Sequence, residues 1–235
     1  MNPALLEEGL SKLGPGMHSS SLGERILPLL SRYIEEIELF NPAYGLVKVR
    51  DREELIVKHI LDSLAPLGII RGLLEKSSSQ NTKTIADVGS GAGLPGIPLA
   101  ICMPNVTFTL IERMGRRAGF LRDAVAVLGL TNVRVEEAEM EKLSPSAGNR
   151  GESFLFDVIV FRAFKPLDDV ILKRLFSLLA PGGIIAAYKG RRQSVEEEIS
   201  RLESVHREAL PWEILPLEVP FLKEERRLLL IRKAL

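Results

Sequence analysis

One cysteine, one tryptophan and three histidines stand in a chain of 235 residues, and each scarcity excludes something. Cys102 has no second cysteine with which to form an intrachain disulfide, so the chain does not belong among the stapled secreted domains, and a reducing compartment suits it. The three histidines and the cysteine show no cluster with zinc spacing, and no metal is expected. Long apolar runs are also missing: Leu175–Tyr188 is broken by Pro181-Gly182-Gly183, and the opening MNPALLEEGLSKLG has no basic region followed by an apolar one. Neither a membrane span nor export is indicated, and the expected location is the cytoplasm. Charge of one sign is not in excess either, since 31 Lys and Arg balance 31 Asp and Glu. Generic adhesion to nucleic acid is therefore not expected, and any basic face has to be local.

What is present is a hydrophobic content of 46%, enough for a sizeable core, arranged as one α/β domain with an extension or as two modest domains. The polar stretch Lys76-Ser-Ser-Ser-Gln-Asn-Thr-Lys83 reads as a loop that divides the chain into a helical part, residues 1–80, and an α/β part, residues 81–235. Before the loop, Leu22, Ile26, Leu29, Leu30, Tyr33, Ile34 and Ile37 recur at three- and four-residue steps, the stripe of an amphipathic helix. A second helix is expected over Glu53–Ser63. After the loop, β-rich runs at Thr84–Val88, Val106–Ile111, Val133–Glu136, Asp157–Phe161 and Ile184–Tyr188 alternate with helical stretches, which implies a parallel sheet. Trp212–Val219 and Arg227–Arg232 are too close for a crossover helix and should pair antiparallel, with Trp212 in the core. Ser144–Ser153 reads as one surface loop.

The stretch DVGSGAGLPG, Asp87 to Gly96, places four glycines in eight residues between two apolar runs. Gly91-x-Gly93-x-x-Gly96 fits a dinucleotide fingerprint, whereas Asp87-x-Gly89-x-Gly91-x-Gly93 fits an S-adenosylmethionine loop. A dinucleotide strand would have to run on to Ser90, past Asp87 and Gly89, which is a poor strand end. If the strand stops near Val88, Gly89 makes the turn, Gly91 and Gly93 let a ligand reach backbone, and Asp87 points from the strand tip into the crevice. That arrangement suits an ammonium and an adenosine better than a pyrophosphate. Glu112, at the tip of the next strand about 20 residues on, can accept both hydroxyls of a ribose, which either cofactor carries. An NAD(P)-dependent oxidoreductase and a non-catalytic nucleotide-binding module both remain open on these residues, although the oxidoreductase lacks a Tyr-x-x-x-Lys or His/Asp proton donor.

The glycine loop with its extension GIPLA, Asn41-Pro-Ala-Tyr-Gly-Leu-Val-Lys-Val-Arg-Asp51, Val57-Lys-His-Ile-Leu-Asp-Ser63, Arg116-Arg117 with Phe120-Leu-Arg122, Arg162-Ala-Phe164 and Tyr188-Lys-Gly190 together resemble the bacterial small-subunit rRNA guanine-N7 methyltransferase family, RsmG, also called glucose-inhibited division protein B. The resemblance runs over roughly residues 22 to 232, and GLPGIPL and HILDS are its most specific pieces. It implies a Rossmann-like class I methyltransferase fold: a mainly parallel seven-stranded sheet with a C-terminal antiparallel hairpin and an N-terminal helical extension. It implies S-adenosyl-L-methionine as donor and one guanine of 16S rRNA, free or in the small ribosomal subunit, as acceptor. Donor contacts carried over from the family fall on Gly89, Leu94, Met140, Glu141 and Arg162, with Met140 against adenine. The family usually has Ser where this chain has Phe161.

Guanine N7 bears an in-plane lone pair and no proton, so methyl transfer to it needs no general base, and the lack of a catalytic dyad is expected. An arginine bidentate to O6 and N7 would occupy the attacking lone pair, which assigns Arg162 to the donor carboxylate or a phosphate instead. Basic residues gather at Arg113, Arg116, Arg117 and Arg122, at Arg162 and Lys165, and at Lys189, Arg191 and Arg192. Arg116, Arg117, Lys165, Lys189 and Arg191 are the expected RNA contacts, with His59 added from the HILDS pattern, while Arg113 and Arg122 read as solvated helix charges.

Overall fold

The computed structural model describes residues 3–14, 23–77, 82–143, 155–163, 165–205 and 210–232. The helical stripe becomes α2, Gly23–Tyr44, which follows α1, Pro3–Leu13. Ile26, Leu30, Tyr33, Ile34 and Ile37 are all buried, because three- and four-residue steps keep them on one face while Glu and Arg occupy the other. Leu22, expected to begin that stripe, lies outside the described residues. So do the expected surface loop Ser144–Ser153 and Phe164.

Asp51 opens the next helix by accepting from Glu54 N at 2.8 Å. The segment then runs as α3, Arg52–Leu55, a π-helical turn, Ile56–Leu61, and α4, Asp62–Leu64, where one plain helix over Glu53–Ser63 was expected. α5, Leu67–Lys76, completes the N-terminal part.

The sheet has the order β3-β2-β1-β4-β5-β7-β6. β1 is Thr84–Val88, β2 Thr107–Glu112, β3 Val133–Glu137, β4 Phe156–Arg162 and β5 Leu179–Lys189, and neighbours among these five pair parallel. The β-branched and aromatic runs read from the sequence form these strands because crossover helices cover both faces. Those helices are α6, Gly96–Cys102, α7, Gly115–Val127, α8, Asp169–Ser177, and α9, Arg192–Val205. β6, Trp212–Leu217, and β7, Arg226–Arg232, form the expected antiparallel pair, with β7 against β5.

Two expectations are corrected. β5 begins at Leu179 rather than Ile184: Leu179 pairs with Phe156, and the Pro-Gly-Gly passes through the strand as an irregularity before pairing resumes at Ile184. Trp212 is not core. It starts the edge strand β6, is 39% exposed, and its indole N–H donates to Glu203 on α9 at 2.7 Å.

One hydrophobic core joins α1, α2 and α5 to α6, α7 and one face of the sheet, and a second lies on the other face under α8 and α9. Polar contacts fix the register of helices on sheet. Tyr33 donates to the carbonyl of Ala92 at 2.6 Å, and Tyr188 at the tip of β5 donates to the carbonyl of Ser63 at 2.7 Å. Asp62, 3% exposed, accepts from Arg162 at 2.8 Å on one oxygen and from Arg226 at 3.0 Å on the other. Removing one partner of a buried ion pair leaves the other uncompensated, typically at about 3–5 kcal/mol. Because both arginines keep some water, Asp62→Ala should lower unfolding stability by about 2–3 kcal/mol, with Asp62→Asn between it and the unaltered protein. Urea denaturation midpoints at constant m-value measure this, and a loss under about 0.5 kcal/mol would mean that apolar packing alone docks the helices.

Candidate functional site at the carboxyl edge of the sheet

The strand order reverses between β1 and β4, and the crevice outside the carboxyl ends of strands at such a point is where open α/β sheets bind ligands. The glycine loop leaves β1 into this crevice. Gly89, Gly91 and Gly93 have φ of 70°, 59° and 89°, a left-handed conformation that side chains resist. A Cβ on Gly91 would meet nothing closer than Gly89 O at 3.9 Å, so the backbone there faces open space. Gly96 differs, since a Cβ would lie 2.7 Å from Asp87 Oδ2 and against Leu110, and this glycine lets α6 sit close to β1. Leu94 is buried in the core beneath the loop.

Asp87 is fully buried. Its Oδ2 accepts from Gly96 N at 2.9 Å, while Oδ1 has no protein partner among the described residues. Burial pushes the Asp87 carboxyl up to about 7; the Gly96 amide, the Ser90 hydroxyl and the Arg162 charge oppose that rise, and the Glu112 charge adds to it. Glu112, 4% exposed at the tip of β2, accepts from Gly91 N at 2.9 Å and from Met114 N at 2.8 Å. Each of its oxygens keeps a second lone pair. The carboxylate thus holds the glycine loop against the β2–α7 turn as well as facing the crevice.

Arg162 ends β4, and Ala163 after it has φ 51°, a left-handed turn that takes the chain sharply off the strand tip. The guanidinium reaches back to the HILDS segment. Besides Asp62, it donates to the carbonyls of Lys58 at 3.2 Å and His59 at 3.4 Å, and to His59 Nδ1 at 2.9 Å. A guanidinium only donates, so Nδ1 accepts and the proton of His59 sits on Nε2. Burial lowers the imidazole to about 4, aided by the Arg162 charge, so the ring is neutral at physiological pH. This segment is a structural partner of Arg162, and His59 takes the hydrogen-bonded structural place that weighs in the sequence evenly against an RNA contact.

The other expected residues divide. Met140, in a 3-10 turn after β3, is 3% exposed and belongs to the second core. Glu141 is exposed and pairs with Lys165 at 2.8 Å, so an expected donor contact and an expected RNA contact hold each other. Arg116 and Arg191 are exposed. Arg117 is half-buried, reaches the carbonyl of Gly45 at 3.4 Å and has a buried Nε without a partner among the described residues. Arg122 pairs with Glu137 at 2.9 Å.

Lys189 is not a freely exposed cation: its side chain is 15% exposed and its ammonium binds Glu198 Oε2 at 2.6 Å. Glu198 is itself 7% exposed and accepts from Leu167 N at 2.7 Å. Phe161 is buried, with its ring 5.8 Å from the ammonium. Sequence reasoning missed Glu198, Asp62 and Arg226. The first had a signal: in α9, Val195, Glu198, Ile199 and Leu202 share one helical face, and Glu198 is the one acid in an apolar stripe.

Among the described residues, no group of His, Cys, Asp or Glu could hold a metal, and no helix is long and apolar enough to cross a membrane. A family model described as rRNA small subunit methyltransferase G matches residues 26–230. Relatives named ribosomal RNA small subunit methyltransferase G include that of Treponema pallidum, 40% identical over 234 residues and covering 97% of this chain and 93% of its own length. That of Treponema denticola is 37% identical over 256 residues, covering 99% and 95%. Among solved structures, a putative O-methyltransferase from Klebsiella pneumoniae matches with a TM-score of 0.57 at 19% identity, over 88% of this chain and 90% of that one. The plantazolicin methyltransferase BpumL in complex with SAH matches at 0.55 and 14% identity, over 92% and 100%. The structural likenesses establish the Rossmann-like class I methyltransferase architecture; the matches in sequence go further, and by them the chain belongs to the rRNA small subunit methyltransferase G family.

Proposed function

We propose that the protein transfers a methyl group from S-adenosylmethionine to N7 of a guanine in 16S rRNA. The observation that carries the donor is the pairing of Asp87 Oδ1, buried and without a partner, with open backbone at Gly91 in the same loop. A buried carboxylate with a bare oxygen is costly unless a cation arrives, and the ammonium of the donor's methionine part is such a cation. Glu112 has lone pairs left for the ribose hydroxyls. Arg162, already bound to Asp62 and His59, is a held donor at the neighbouring strand tip for the methionine carboxylate. Met140 and Glu141 follow β3, on the adenine side. Family membership does not favour a nicotinamide oxidoreductase or a non-catalytic nucleotide module.

The bound donor supplies an electrophilic methyl on a sulfonium. The protein's part is to hold N7 in line with it and at near-attack distance, an effect that contributes several kcal/mol without acid–base chemistry. Positive charge moves from sulfur toward the base. Next to the crevice, His59 is neutral and Arg162 is paired with Asp62, which it shares with Arg226.

Two outcomes follow. The folded pKa of Asp87 near 7 lies above its ordinary value of 3.8, so its stabilising contribution is complete below pH 3.8 and is lost as pH rises through 7. Asp87→Asn should therefore be more stable than the unaltered protein at pH 8 and converge with it below pH 4, as read from thermal unfolding. An ammonium prefers the ionised form, so affinity for S-adenosylhomocysteine should fall by about tenfold from pH 8 to pH 6 in the unaltered protein and stay flat in the variant. Calorimetry that shows no pH dependence would remove Asp87 from the donor site.

The acceptor is tested with 16S rRNA and the methyl donor, the product being located by borohydride reduction and aniline cleavage at N7-methylguanosine. Because Lys189 is paired with Glu198, Arg116, Lys165 and Arg191 are the exposed cations proposed to meet phosphates. Changing all three to Ala should leave S-adenosylhomocysteine affinity nearly intact while lowering the slope of log affinity for rRNA against log salt by about one per lost contact. Methylation at another atom would refute the N7 assignment and leave the donor site standing.

A further inference from the structure

Between the tips of β4 and β5 and the start of α9 lies a cavity of about 450 Å³, in the size range of small-molecule sites. Its walls include Arg162, Tyr188, Lys189 and Glu198, with the exposed Arg201 beside it. No residue of the glycine loop lines it. Arg162 borders it and also lies near enough to Asp87 to bias its ionisation, so the cavity adjoins the donor crevice without being part of it.

Guanine accepts at O6 and N7 and donates from N1–H and its 2-amino group. A protein that methylates N7 has to leave that edge bare, which removes the usual bidentate arginine and leaves the Watson–Crick edge to be read. That edge presents acceptor, donor, donor, and its complement is a cation beside a carboxylate. The Lys189–Glu198 pair is such a unit: the ammonium spends one of its three protons on Oε2, and the carboxylate accepts one proton on each oxygen, from Lys189 and from Leu167 N. Two ammonium protons and two lone pairs remain. Adenine, with an amino donor at position 6 and an acceptor at N1, would place like against like on both.

We infer that this cavity receives the acceptor guanine and that Glu198, with Lys189 on O6, is its specificity-determining residue, accepting from N1–H and the 2-amino group while N7 turns toward the donor. The inference rests on the N7 reading above. It also gives the buried pair a role that its burial alone does not require, since an ion pair of this kind often stabilises no better than apolar packing.

The experiment replaces, by ligation of a synthetic fragment, the one guanosine of 16S rRNA that the protein methylates with inosine, which keeps N7, O6 and N1–H and lacks only the 2-amino group. The unaltered protein should lose about ten- to a hundredfold in kcat/KM on inosine, as sites built to pair a polar group reject analogues without it. Glu198→Gln should lose a comparable factor on guanosine and show no further loss on inosine, with S-adenosylhomocysteine affinity unchanged. A merely structural defect would lower both substrates equally and preserve their ratio. Should E198Q not fold, Glu198→Asp, which keeps the charge but withdraws the carboxylate by one methylene, is read the same way. Equal rates of the unaltered protein on guanosine and inosine overturn the inference, as does a variant that discriminates as well as the unaltered protein. Absence of N7-methylguanosine with the unaltered protein overturns instead the reading on which it rests.

Discussion

One carboxylate, Asp62, ties the N-terminal helices to the carboxyl edge of the sheet through two ion pairs. Its two oxygens take guanidinium groups from residues 100 and 164 positions further along the chain, one at the end of β4 and one at the start of β7. Apolar contact between the N-terminal helices and the sheet supplies most of the burial, but such contact is non-directional and would tolerate sliding. The ion pairs do not tolerate it, because burial at 3% exposure makes an unpaired Asp62 costly. Everything at the carboxyl edge inherits this constraint. Arg162 is aimed by Asp62, His59 is given its tautomer by Arg162, and the Tyr188 hydroxyl finds its acceptor on Ser63 only if α4 is in place.

The sheet was legible in the sequence because each of its seven strands is a short β-rich run bounded by turn residues, and because strand, helix, strand leaves few alternatives to a parallel order. Apart from the early start of β5, boundaries shifted by one or two residues where pairing, not composition, decides them: Arg162 and Arg226 are strand residues because Tyr188 and Leu217 pair with them across the sheet. The failures have one cause in two forms. Trp212 looked like core because it is large and apolar, yet an edge strand buries only part of a side chain at its first residue. Lys189 and Glu198 looked like surface because they are charged, yet each supplies the partner that makes burial of the other tolerable. Pattern reading assigns residues one at a time, and a buried ion pair is a property of two.

The glycine loop was the most legible part of the site, since left-handed backbone at three positions can hardly be written in other residues. What the spacing did not reveal is how much the loop is held by side chains from elsewhere. Glu112 anchors Gly91, Tyr33 anchors Ala92, and Asp87 anchors Gly96. Three separate elements thus fix a segment that has almost no side chains of its own, which keeps the backbone rigid where a ligand is to meet it and lowers the ordering cost of binding.

Charged groups around the crevice are held by partners, with one exception. Arg162 and Arg226 share Asp62, Lys189 pairs with Glu198, and the imidazole of His59 is uncharged. Glu112 has two amides on its oxygens. Asp87 alone keeps a bare oxygen, in the interior and at the donor end. In a reaction that carries positive charge from a sulfonium to a base, an unmatched cation beside the base opposes the transfer, whereas negative potential there favours it. Setting the cations beside anions limits that opposition and keeps the shape of the site fixed, and the one carboxylate with a bare oxygen stands where a cation has to be bound.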